Sequence, residues 1–305
     1  KKGFSKDHRG DMPQVLIGLF VDFEGYPFDF DCFTGNTFEG HTFKTSVEKL
    51  IKKYQFGSLT VVADAGMLSE DNLLYLDDKK INYIVGARLK NTKEEVAEQI
   101  IGHNYKLESI NEIRLDNQKL IVEYSEDRAK KDAKNREKII DKLRNKLETG
   151  KTVVHKNKFL TWKNKDKITS LDDKKIKADK QFDGLKGYVT NKKNKSSFKE
   201  IIDQYHNLWK VEKAFRMSKN DLRERPIYHQ EIRRIKSHLI LCFVSLLVMK
   251  EAEKILNTKK YTIERAIEFL GKVGEGEIRI GNTKMPLESE LNQDSKNILK
   301  LFLGH

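Results

Sequence analysis

Tyr205–Lys219 reads YHNLWKVEKAFRMSK, and the rest of the chain is organised around it. Tyr205, Leu208, Glu212, Arg216 and Lys219 are spaced 3, 4, 4 and 3 residues apart. On one continuous α-helix, predicted over Phe198–Lys219, that spacing puts all five on one face. A phenol, a carboxylate and two cations then point the same way. Leu208, Val211 and Phe215 form an overlapping apolar stripe that would hold the helix against a core. Such a face suits a site that handles phosphates and a metal ion. On pattern alone it fits more readily an amphipathic helix whose charged side is simply solvated.

Working outward, the helix is followed by RPIYHQ (Arg225–Gln230) and by HLILCFVSLLV (His238–Val248), the latter inside an apolar helix expected to be buried over Ile232–Ile255. Upstream, SLTVVADAGMLSEDN contains a buried strand, Leu59–Ala63, with Asp64 at its carboxyl end. Ligand and catalytic groups gather at such strand ends in α/β sheets. Asp64 also suits the capping of the turn that follows it.

Tyr-x2-Leu-x3-Glu-x6-Lys, carried here by Tyr205, Leu208, Glu212 and Lys219, resembles the signature around the catalytic Glu of DDE transposases of bacterial insertion sequences. The family's commonest form has Arg where Leu208 stands. VVADAG resembles the second catalytic Asp motif of the same enzymes, and the two matches come in the family's order. The resemblance implies an α/β fold with an RNase H-like core interrupted by a mainly β insertion. Residues 1–79 would be the first part of the core, 80–181 a basic β-rich insertion, 182–256 the second part with the Glu helix, and 257–305 a helical extension. It implies cut-and-paste DNA transposition by metal-dependent phosphodiester cleavage and strand transfer. Asp64 and Glu212 would be catalytic and hold Mg²⁺, with Mn²⁺ able to substitute. Tyr205, Arg216 and Lys219 would grip DNA phosphates. The partners would be double-stranded DNA and a second copy in the active complex, with no membrane. The compartment would be the bacterial cytoplasm, at the nucleoid.

The first Asp of the triad has no counterpart in the family's context. The chain opens KKGFSKDHRGD, a sequence that lies downstream of that Asp in the family. Asp7, Asp11, Asp22, Asp29 and Asp31 are the nearby carboxylates, and none is assigned. The expectation is a carboxyl-terminal portion of a longer transposase, catalytically silent alone. The alternative is an inactive remnant that binds DNA or intact transposase. What precedes Lys1 in the gene separates the two.

Composition bounds the rest. The 305 residues are 38% hydrophobic, enough for a packed core. The apolar run Leu239–Met249 is shorter than the roughly 20 residues a membrane span needs. Two cysteines, Cys32 and Cys242, without CxxC spacing give no disulfide or zinc framework. Net charge is +13, and residues 130–195 hold 22 Lys+Arg against 9 Asp+Glu, a surplus of 13 that equals the whole excess. Such a concentration is the footprint of a nucleic-acid binder, or else a lysine-rich solvated surface. Twenty of those 22 are Lys, which favours backbone contact over base reading.

Local signals complete the reading. QVLIGLFVD (14–22) and PFDFDCF (27–33) predict a hairpin turning at Gly25, followed by a loop to Phe43 and a helix over Thr45–Tyr54. Ile81–Leu89, Lys119–Tyr124, Val153–Trp162 and Asp183–Asn191 predict strands. Thr92 and Glu95 predict a capping box, Ser125–Leu147 a long charged helix, and Lys163–Lys180 a loop or mobile helix. Trp209 is expected in the core. Tyr261–Val273 and the final DSKNILKLFL predict helices, with a short strand at EIRIG between them.

Overall fold

The structure is a computed structural model that describes residues 12–37, 39–66, 69–149, 157–164, 167–192, 197–222, 224–256, 260–280, 283–288 and 291–304. In chain order the elements are β1 (Val15–Val21), β2 (Pro27–Thr34), α1 (Glu39–Tyr54), β3 (Thr60–Ala63), α2 (Glu70–Asp78) and β4 (Asn82–Ala87). There follow α3 (Glu94–Gly102), β5 (Ile110–Leu115), β6 (Gln118–Tyr124), α4 (Glu126–Glu148), β7 (Leu160–Asn164), β8 (Lys167–Leu171), α5 (Asp173–Lys180) and β9 (Leu185–Thr190). The chain ends with α6 (Phe198–His206), α7 (Leu208–Arg216), α8 (Ile232–Leu256), α9 (Ile263–Leu270), β10 (Glu275–Ile280), β11 (Thr283–Glu288) and α10 (Gln293–Leu303). The α/β class expected from the sequence holds. Two compact units form, residues 37–208 and residues 1–36 with 209–305.

The 37–208 unit is built on a five-stranded sheet ordered β3-β4-β9-β6-β5. β3 and β4 run parallel through the crossover helix α2, and the remaining pairings are antiparallel. The period-2 alternation of strand side chains sorts the core. Tyr83 and Val85 of β4 face Val47, Ala63 and Leu76 on the α1/α2 side. Ile84 faces Ile201 and Ile202 of α6, together with Ile121 and Tyr188 from β6 and β9. Leu120, Val122 and Leu185 meet Ile100 of α3 in a third cluster. Residues 80–181 thus supply β4, β5 and β6 to the sheet that holds β3, and also α3, α4 and α5.

α4 is anchored by its buried side. Leu143 packs with Phe159 and Leu160, and Arg136 donates from both terminal guanidinium nitrogens to the two carboxylate oxygens of Asp183. Asp179 lies 3.7 Å from the same guanidinium and also takes Lys90 at 2.7 Å and Lys158.

In the other unit β1 and β2 form the expected hairpin, with Gly25 at φ +89° in the turn. Asp22 holds that turn by accepting the backbone N–H of Glu24 and Tyr26 at 2.9 and 2.8 Å. The core gathers Ala214, Met217, Leu246, Met249, Leu256, Ile263 and Ile298. Among the described residues no helix is long and apolar enough to cross a membrane.

Several local expectations are corrected. Thr92 does not cap α3; its hydroxyl donates to Leu89 O at 2.8 Å and closes the preceding 3₁₀ turn, so Lys93 is the N-cap residue. Lys163–Lys180, expected as a loop or mobile helix, is helical over α5, which Asp172 caps by accepting the Lys175 N–H, but β8 (Lys167–Leu171) pairs with β7 and was not expected. α1 begins at Glu39 rather than Thr45. α8 was expected buried; Leu239, Cys242 and Leu246 are, but Leu241, Val244 and Val248 face outward. A 25-residue helix against one core can bury only one side. β11, which contains Pro286, pairs with β10 and was not anticipated. Asp7, Asp11 and the 153–156 part of one expected strand lie outside the described residues.

Candidate active site

Asp64 stands where β3 ends, exposed at the carboxyl edge of the sheet. One carboxylate oxygen accepts the Gly66 backbone N–H, so the turn-capping reading is correct as far as it goes. The other oxygen makes no hydrogen bond among the described residues.

Tyr205 arrives on α6, whose N-terminus Ser197 caps by accepting the Glu200 N–H at 3.2 Å. Its ring lies over the α6 face of the sheet. It meets Tyr188 edge-on with centroids 4.7 Å apart, and the Lys186 amine sits 4.8 Å from its centroid. The hydroxyl fits only because β4 carries Gly86 there: a Cβ at that position would stand 2.4 Å from the oxygen. Burial pushes the Tyr205 phenol up, and the negative charge of Asp64 adds to that, opposed by Arg128. The phenol is therefore a donor held in the field of Asp64.

Behind it, Tyr188 donates its hydroxyl to Glu123. The Nε2 of His206 lies 3.1 Å from that hydroxyl and 3.4 Å from the carboxylate. Burial first, then Glu123, raises the Tyr188 phenol far above its ordinary range. Burial lowers the Lys186 amine, with Glu123 opposing.

Glu212, Arg216 and Lys219 belong to the other unit. The single helix expected from Phe198 to Lys219 is interrupted twice. A turn at Asn207 separates α6 from α7, and α7 runs into a π turn over Met217–Asp221. Leu222 N–H reaches Met217 O at 3.0 Å, a five-residue bond. The wider turn sets Lys219 back from the register an unbroken α-helix would give it, so strict one-face geometry does not extend to Lys219. The turn is braced from below. Buried Ser218 donates its hydroxyl to buried Glu224 at 2.6 Å, and the Glu224 carbonyl lies 3.0 Å from His238 Nε2.

The polar residues of α7 divide cleanly. Lys210 donates to Phe23 O at 3.0 Å, and Lys213 pairs with Glu253, which also takes Lys250 at 2.9 Å. Glu212 and Arg216 are exposed and make no hydrogen bond or ion pair among the described residues. Lys219 is exposed too, its amine 5.1 Å from the Phe215 ring centroid. Trp209 was expected in the core but is 57% exposed.

Asp64 and Tyr205 are thus brought together in one unit, and Glu212, Arg216 and Lys219 share the other. Among the described residues no three His, Cys, Asp or Glu side chains gather as a metal-holding group. Sequence reasoning missed Gly86, the Tyr188–Glu123–His206 network and Glu224. The one available signal was Gly86, a lone glycine inside the apolar run INYIVGARL, which marks close approach of another group to the strand.

A family model described as Transposase DDE domain matches residues 2–248. No curated protein and no solved structure gives a match.

Proposed function

The chain belongs to the transposase DDE domain family, a family of DNA-cleaving and strand-transferring enzymes that use divalent metal ions, and from that premise we propose a division of roles among its residues. The mixed sheet with flanking helices is consistent with the RNase H-like fold of such enzymes. Asp64 and Glu212 are the metal ligands, and Mg²⁺ is the ion. Both are exposed carboxylates, hard oxygen donors of the kind Mg²⁺ prefers. When bound, the metal supplies activation of a water or 3′-hydroxyl and stabilisation of the leaving oxygen. Arg216 and Lys219 grip phosphates of the transposon end. Tyr205 donates a hydrogen bond toward a phosphate oxygen beside Asp64, a role that its raised pKa preserves. The reaction is cut-and-paste transposition of an insertion sequence, carried out by a homodimer in the cytoplasm at the nucleoid.

The observation that supports this most is the split along α7. Two of its cations are tied into the unit, while Glu212 and Arg216, and Lys219 in the π turn that follows, are left to meet a ligand. The test is Glu212→Gln in the product of the intact gene, with supercoiled DNA carrying the element's ends. Nicking and strand transfer should disappear while DNA binding stays nearly intact, because Glu212 is assigned to metal and not to DNA. Cleavage near the wild-type rate would remove Glu212 from the site.

A further inference from the structure

We propose that α4 is a duplex-tracking helix, whose exposed face binds the DNA phosphate backbone without reading sequence. Lys131, Lys134, Lys138, Lys142 and Lys146 follow one another at spacings of 3, 4, 4 and 4 residues. At about 100° per residue they fall within an arc of roughly 120°. All five are exposed, and none has a carboxylate within 4 Å among the described residues. The arc also holds the amides Asn135 and Asn145. Along the axis it spans about 22 Å, at 1.5 Å per residue.

Other exposed lysines of the unit, such as Lys93, Lys106 and Lys199, are also unmatched among the described residues but do not line up along one helix face. Several cations near the row are matched: Lys90 and Lys158 with Asp179, Lys175 with Asp172, Arg144 with Asp141, Lys130 with Glu126. Three of the six acids of α4 are matched as well, Glu126, Asp132 and Asp141, and none of the other three lies beside the row. Asp132 accepts the Gly184 N–H at 3.2 Å and faces Arg128. Glu137 and Glu148 fall outside the arc, and Asp127 lies one turn before it. The opposite side of the helix is fixed by the Arg136–Asp183 fork and by Leu143. A rigid rod thus presents one row of unmatched positive charge. Its complement is a row of regularly spaced negative charges, and duplex DNA carries one phosphate per about 3.4 Å of each strand. Lys in place of Arg suits point contacts to phosphate rather than bidentate base recognition.

This rests on the family's handling of DNA but not on Asp64 or Glu212, so it is tested without metal. Lys134, Lys138 and Lys142 are changed together to Gln, and binding to a labelled 30-base-pair duplex of arbitrary sequence is followed by anisotropy from 50 to 300 mM salt. Each lost phosphate contact lowers the slope of log affinity against log salt by about 0.9. The triple variant should lose about 2–3 in slope and roughly 10- to 100-fold in affinity at 100 mM salt. A control triple, Lys93, Lys106 and Lys199 to Gln, makes the same charge change elsewhere on the unit and should lose less than 1 in slope. Circular dichroism checks that both variants fold. If the α4 variant does not fold, single Gln substitutions at the same positions should each lose about 0.9. An unchanged slope in the α4 variant, or equal losses in both triples, overturns the proposal. Loss of slope in the α4 variant together with near-wild-type cleavage by Glu212→Gln would remove the catalytic assignment and leave the helix assignment standing.

Discussion

Gly86→Ala should damage the protein through a residue 119 positions away in the sequence. β4 turns Ile84 and Gly86 toward α6, and the Tyr205 hydroxyl occupies the space where a side chain at 86 would begin. An added Cβ would lie 2.4 Å from that oxygen, 3.1 Å from Cζ and 3.4 Å from the Ala65 nitrogen. Ordinary contact begins near 3.4 Å, so the hydroxyl must withdraw by about 1 Å. Tyr205 cannot swing freely, because Tyr188 stands edge-on at 4.7 Å and Ile201 and Ile202 fix α6 on the sheet. Overpacking of this kind costs about 1–3 kcal/mol. For a unit of this size about 2 kcal/mol corresponds to a fall in Tm of roughly 4–8 °C. If Tyr205 orients a phosphate beside Asp64, the same displacement should slow cleavage by about 10²-fold. The assay is thermal unfolding of four proteins: wild type, Gly86→Ala, Tyr205→Phe and the double variant. Removing the hydroxyl should relieve most of the overlap, so the two changes should be strongly non-additive. An unaltered Tm in Gly86→Ala, or a double variant no more stable than Gly86→Ala, would refute the reasoning.

Two further outcomes follow from buried polar groups. Glu224→Ala strands the Ser218 hydroxyl, which should cost about 1–3 kcal/mol and speed amide hydrogen exchange over Lys219–Leu222; Glu224→Gln keeps an acceptor and should exchange like wild type. Around Asp179, burial raises the carboxyl, but hydrogen bonds from Lys158 and Lys90 outweigh it and hold the group below its usual range. A folded-state pKa below the unfolded one stabilises above the unfolded value and loses that contribution as pH falls through the folded value. Asp179→Asn should therefore lower stability at pH 7 by about 2 kcal/mol and flatten the acid limb below about pH 4 in urea titrations; an unchanged acid limb would remove Asp179 from the network's account.

Four strands of the five-stranded sheet were legible because their apolar runs are local; β5 (Ile110–Leu115, INEIRL) has no such run and is missed. Thr60–Ala63, Asn82–Ala87 and Leu185–Thr190 come within a residue or two of their sequence-predicted limits. The misreadings arose where composition alone does not say which partner a polar residue takes. Thr92 has the composition of a cap, yet its hydroxyl finds the nearer Leu89 carbonyl. Lys163–Lys180 reads as a loop or mobile helix; α5 supplies the helix, while β8 finds β7 beside it. The spacing of Tyr205–Lys219 predicts α register throughout, since nothing in MSKND declares a π turn. That turn is braced by Glu224, which accepts the Ser218 hydroxyl, lies past the end of the pattern and is buried by the tertiary fold.

The same limit explains why a charged helix face is hard to interpret from spacing alone. Lys210, Glu212, Lys213 and Arg216 are equally polar in the sequence and belong to one short helix. Their difference lies in what the rest of the unit provides. A carbonyl at Phe23 and a carboxylate at Glu253 come from segments 187 and 40 residues distant, and they claim Lys210 and Lys213. No described group claims Glu212 or Arg216. A cation already matched inside the fold is a poor ligand for phosphate, because binding would first break its existing pair. A carboxylate and a guanidinium left unmatched carry no such cost, and the same distinction separates Lys158 and Lys175 from the lysine row of α4. Spacing nominates the residues that can share a face; the ion pairs made elsewhere decide which of them remain available to DNA or to a metal.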